Sequence, residues 1–72
     1  MPRLPIVSGK QLVRGLEKLG FAAIRQRGSH VVMRKGARGT VVPLHREIAA
    51  GTLNAILKQC GLTEAQLRDA LG

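Results

Sequence analysis

The stretch FAAIRQRGSHVVMRK, residues 21–35, decides how this chain folds. Its two arms are short runs carrying β-branched residues, and Gly28-Ser29 between them has glycine at the first central position of a two-residue hairpin loop. Pairing across that turn sets Arg27 opposite His30 and Arg25 opposite Val32. Ala22, Ile24, Val31 and Met33 then share an apolar face, while Arg25, Arg27, His30 and Arg34 collect on the other. Phe21 falls on the polar face in this register, against its character. A slip of one residue would turn a strand over, so the composition of the polar face hangs on this pairing.

Beyond the hairpin, Lys35-Gly36-Ala37-Arg38-Gly39 reads as a second turn, and Val41 to His45 as a third strand. Pro43 has no N–H for a ladder, which makes this strand an edge, as the last strand of a meander is. Packing Val42 and Leu44 inward would carry His45 across from His30 and bring two histidines into one basic field.

Both flanks are helical. Ser8-Gly9-Lys10-Gln11 has capping-box spacing, with Val7 and Leu12 placed as a hydrophobic staple, so a helix is expected to begin at Gly9. Leu12, Val13, Leu16 and Leu19 recur at helical spacing before Gly20 stops the run. Leu53, Ile56, Leu57 and Cys60 make one stripe of a second helix ended by Gly61. Leu62-Thr63-Glu64-Ala65-Gln66-Leu67 repeats the staple and box and opens a short final helix with Leu67 and Leu71 on its apolar side. The expected fold is α+β, in the order α-β-β-β-α-α, with the helices packed on one face of a three-stranded antiparallel sheet.

Seventy-two residues hold one domain, read here as residues 1–72. A domain this small hides only about 60% of the surface its unfolded chain exposes, so it is marginally stable without staples or a partner. The single cysteine, Cys60, can make neither an internal disulfide nor a zinc site of the usual structural type, and it reads as a small core residue of a protein in a reducing compartment. Met1-Pro2-Arg3-Leu4-Pro5-Ile6 has no apolar run suited to a leader or a span, so a soluble cytoplasmic protein is expected.

Twelve Lys and Arg against four Asp and Glu give a net charge of +8, which calls for a polyanionic partner. Eight of the twelve cations are Arg, whose planar fork suits phosphate. RNA brings its own nucleophile, the 2′-hydroxyl, so cleavage needs a base, an acid and cations around the phosphorane. Histidine as a side-chain type titrates near neutral pH and can do the proton work, and Arg and Lys can stabilise the charge without a metal. Glu17, Glu47, Glu64 and Asp69 are scattered, where a metal nuclease wants clustered carboxylates, so no metal and no cofactor are expected. His30 is the candidate catalytic residue, with His45 and Ser29 as auxiliaries. Arg25, Arg27, Arg34, Lys35 and Arg38 are the candidate RNA-binding set. With Phe21 the only aromatic residue, there is no stacking platform for bases, and recognition should lean on phosphates and shape.

The chain resembles the HicA toxin family of mRNA interferases nearly end to end. The resemblance rests on Ser8-Gly9-Lys10, Gly20-Phe21, Arg25-Gln26-Arg27-Gly28-Ser29-His30, Val42-Pro43-Leu44-His45, Gly51-Thr52-Leu53, Ile56-Leu57-Lys58-Gln59 and Gly61-Leu62, in this order and spacing. It implies a double-stranded-RNA-binding-like α-β-β-β-α fold, a catalytic histidine in the Gly-Ser-His motif, here His30, an mRNA substrate and a HicB-type antitoxin. The chain departs from the family pattern at Asn54, where a basic residue is common, and at Leu67, where a phenylalanine is. Gly51-Thr52-Leu53-Asn54 also lacks the lysines with which typical double-stranded-RNA-binding domains start the corresponding helix. The rival readings are a non-catalytic RNA-binding module and a basic structural protein of a ribonucleoprotein.

Overall fold

The computed structural model describes residues 4–72, so part of the stretch read as leaderless, Met1 to Arg3, lies outside the described residues. The elements run α1 (Gly9–Lys18), β1 (Ala22–Arg27), β2 (His30–Lys35), β3 (Arg38–Pro43), α2 (Ala50–Cys60) and α3 (Glu64–Leu71). The sheet is antiparallel in the order β1-β2-β3, which puts Pro43 on an edge strand.

Each helix end has a local cause. Ser8 and Gln11 form the capping box of α1, and Thr63 and Gln66 that of α3, each cap being worth about 1 kcal/mol. Val7 and Leu12, the staple pair of α1, are both buried in the core. At the far end of α1, the Phe21 amide donates to the Leu16 carbonyl and the Gly20 amide to the Glu17 carbonyl, the paired bonds of a Schellman stop. Gly20 takes φ +97° to allow it. The same pair of bonds, Leu62 to Leu57 and Gly61 to Lys58, ends α2.

One core joins the helices to a single face of the sheet. Leu12 and Leu16 of α1, Leu53, Ile56, Leu57 and Cys60 of α2, and Leu67 of α3 pack with Phe21, Val31, Met33 and Val42. The stripe expected for α2 is the stripe that is buried. Burial raises the Cys60 thiol above its ordinary pKa, partly offset by the positive charge of Arg38. Cys60 is thus a protonated core residue, as a poor nucleophile is.

Three expectations need correction. First, Ile24 and Ala22 do not lie on the apolar face. The β1 to β2 register breaks between Ala23 and Arg25, with Ala23 opposite Met33 and Ala22 opposite Arg34. Ile24 is the extra residue of a bulge and is 56% exposed. The bulge flips the parity of everything before it, and this is how Phe21 comes to be buried although the unbulged register puts it with the arginines. Second, β3 begins at Arg38, not Val41, because the connection is a two-residue turn, Gly36-Ala37, with Gly36 at φ +59° and Lys35 opposite Arg38. Third, β3 ends at Pro43, and it is Pro43 that faces His30. His45 lies two residues beyond the strand and is not across from His30.

Candidate catalytic face and its support

The two faces of the sheet follow from strand parity. Val31 and Met33 of β2 point into the core, so His30, Val32 and Arg34 form the outer row. Opposite them stand Arg27, Arg25 and Ala22 on one side and Pro43, Val41 and Gly39 on the other. The expected pairs Arg27 with His30 and Arg25 with Val32 are both present. A directly opposite pair has Cβ atoms about 5 Å apart and a diagonal one about 7–8 Å, which puts the His30 imidazole within the span of the Arg27 and Arg25 side chains. Arg34 shares the face but stands four residues along β2, about 13 Å from His30.

Lys35 and Arg38 belong to the other side. They are Cα partners with the inward parity of Met33 and Thr40, at the end of the sheet away from His30. Lys35 Nζ donates to the Leu19 carbonyl at 2.9 Å and lies 5.9 Å from the centroid of the Phe21 ring, closing the C-terminal end of α1 with a positive charge. Arg38 lays its guanidinium against Gly61, where any side chain would collide with it. The sequence reading missed this structural role, although the parity of a two-residue Gly36-Ala37 turn contains it.

His30 sits where β2 leaves a braced turn. Gly28 takes φ +56°, as the first central residue of such a turn requires, and the Gln26 side-chain amide donates to the Gly28 carbonyl at 3.1 Å. The Ser29 carbonyl accepts from the Leu44 amide at 2.7 Å, and the His45 carbonyl accepts from the Gly9 amide at 2.9 Å. A continuous run of backbone bonds thus ties the Gly28-Ser29-His30 turn to the Leu44-His45 segment and on to the N-terminus of α1. Ser29 and His45 take part through their carbonyls. The close approach explains Gly9: a Cβ there would run into the Pro43 carbonyl and the Leu44 Cα.

The imidazole of His30 is exposed and has no hydrogen-bond partner among the described residues. No carboxylate among them forms an ion pair with Arg25, Arg27 or Arg34. Also among the described residues, no group of three or more His, Cys, Asp or Glu is placed to hold a metal ion, and no helix is long and apolar enough to cross a membrane. Chemically, the face offers an exposed imidazole with one arginine directly opposite and a second on the diagonal, neither paired with a carboxylate among the described residues.

Fold and face together define a small basic α+β domain with a histidine set beside arginines on an open sheet. A family model described as the HicA toxin of bacterial toxin-antitoxin systems matches residues 9–62, and the chain belongs to that family. The match takes in every candidate site residue and stops before α3. Among curated proteins none matches the chain. Membership makes the protein a ribonuclease toxin of the mRNA interferase kind, with an RNA substrate and an antitoxin partner.

Proposed function

We propose that residues 1–72 act as one metal-independent endoribonuclease domain that cuts mRNA at the outer face of the sheet, with His30 as the catalytic residue. The observation that carries this reading is the pairing of His30 with Arg27 on an exposed face whose arginines have no carboxylate partner among the described residues. His30 takes the proton of the 2′-hydroxyl as O2′ attacks the adjacent phosphorus, or gives a proton to the 5′-oxygen as its bond to phosphorus breaks. Arg27 and Arg25 hold the non-bridging oxygens, where charge builds up in the phosphorane. Arg34 contacts the RNA further along the strand. Lys35 and Arg38, committed to helix ends on the inner side, add only to the long-range field. Ser29 supports the turn, and His45 is the chain's one other histidine.

A HicB-type antitoxin silences the enzyme by covering this face. Opposite charge favours such a partner for a chain of net charge +8.

The test of the reaction is the chemistry of the products. Purified toxin in excess chelator should yield fragments ending in 2′,3′-cyclic or 3′-phosphate with 5′-hydroxyl partners. Loss of cleavage on chelation with recovery on adding magnesium contradicts the metal-free reading, and RNA binding without any cleavage favours the non-catalytic module.

A further inference from the structure

On the His30 face Val41 is a large apolar side chain left 47% exposed, on the outer side of β3. It is the Cα partner of Val32, and Val32 is the next outer-face residue after His30, about 6.6 Å along the strand. From these two valines an open groove crosses the edge strand β3 to α2, whose Thr52 and Gln59 line it together with Arg34. The Arg34 stem packs against its Cα partner Gly39, where a Cβ would crowd Arg34 Cγ at 3.3 Å.

The wall is held in place. Thr40, a buried residue, donates its hydroxyl to Gln59 Oε1 at 2.6 Å, so the Gln59 amide is fixed and its Nε2 donors remain without a partner among the described residues. A flat apolar floor, a guanidinium plane, a hydroxyl and an oriented amide donor suit a flat, partly apolar ligand whose edge carries hydrogen-bond acceptors. Among the described residues Arg34 is the only charged group in the lining, which favours a ligand that carries negative charge.

We propose that this groove is a subsite for one unpaired nucleobase of the RNA strand that His30 cleaves, with the base against Val41 at the β3 edge, the Arg34 guanidinium beside it, and Gln59 Nε2 donating to its edge. The inference rests on the ribonuclease reading above and deepens it. It gives a protein with almost no aromatic residues a way to read sequence at one position.

Binding, measured apart from cleavage, tests it. Short single-stranded RNAs with one abasic nucleotide moved along the strand are titrated onto a His30→Ala protein. Removing the base at one position should weaken binding by about fivefold or more, the scale of a single base contact. Gln59→Glu keeps the oxygen that accepts from Thr40 while removing the N–H donors, and Val41→Asp places a carboxylate on an already exposed floor. Both should erase the effect of that one position while effects elsewhere along the strand remain. A parent scan in which no position stands out overturns the subsite, as does one that either folded variant leaves unchanged. Loss of antitoxin affinity in the variants with the abasic scan intact also overturns it, and makes the groove a protein-docking surface. Because the readout is affinity, a failure of the His30 chemistry would appear in the product analysis instead.

Discussion

The amide of Gly9 donates to the carbonyl of His45 at 2.9 Å, and with that bond the start of α1 is fixed to the segment that supports the His30 turn. Two short sequence motifs far apart in the chain thus turn out to be one contact. The prediction is that Gly9→Ala, a mild change in most helices, costs about 1–3 kcal/mol here, because the new methyl meets backbone atoms of Pro43 and Leu44 that cannot swing aside. Urea titration of parent and variant checks it. A midpoint within error of the parent's would mean that the approach of α1 to the Pro43-Leu44 segment is looser than described.

The arginines and Lys35 should separate by assay. Arg27→Ala removes a phosphate contact beside His30, so the slope of log affinity against log salt should fall by about 1. Lys35→Ala removes the cation from the end of α1 and the cover from Phe21, so it should lower stability by about 1 kcal/mol while leaving the slope nearly intact. Reversal of the two outcomes would place the RNA track on the wrong side of the sheet.

These contrasts also mark what was legible in the sequence. Capping boxes, glycine stops and helical stripes depend on neighbours within a turn or two, and all three helices were readable from them. The β1-β2 register was readable because Gly28-Ser29 fixes it at the turn, and with it the placement of Arg27 and Arg25 beside His30. Pairing from the turn alone does not reveal an extra residue further along the strand. The misfit of Phe21 was nonetheless the sign of one, since a buried aromatic and an outward Arg25 cannot share a strand without the bulge at Ile24. The end of β3 was not readable either, because what stops it is tertiary: α1 packs on Pro43 and Leu44, and the chain is drawn away from the sheet before His45.

His45 is accordingly expected to matter less than His30. Its carbonyl carries the structural bond and its side chain stands past the strand that faces the site, so His45→Ala should reduce cleavage by less than tenfold, below the usual range for a lost general acid or base. Single-turnover rates on one RNA decide the point, and a drop as large as that of His30→Ala would make both imidazoles catalytic.

Inhibition should come with protection. An antitoxin that covers the outer face buries His30 and binds only the folded chain, so it should both block modification of His30 by a histidine-directed reagent and raise the melting temperature. If His30 stays as reactive in the complex as in the free toxin, inhibition works from elsewhere on the surface.

The most direct measurement of the central claim is the cleavage rate of His30→Ala. The side chain is exposed and makes no hydrogen bond to the described residues, so the variant should melt within about 0.5 kcal/mol of the parent and still bind RNA. Its cleavage rate should fall by about 10²–10⁴-fold, and it should no longer arrest growth when expressed without antitoxin. A folded His30→Ala protein that cuts RNA within a few-fold of the parent would contradict the account.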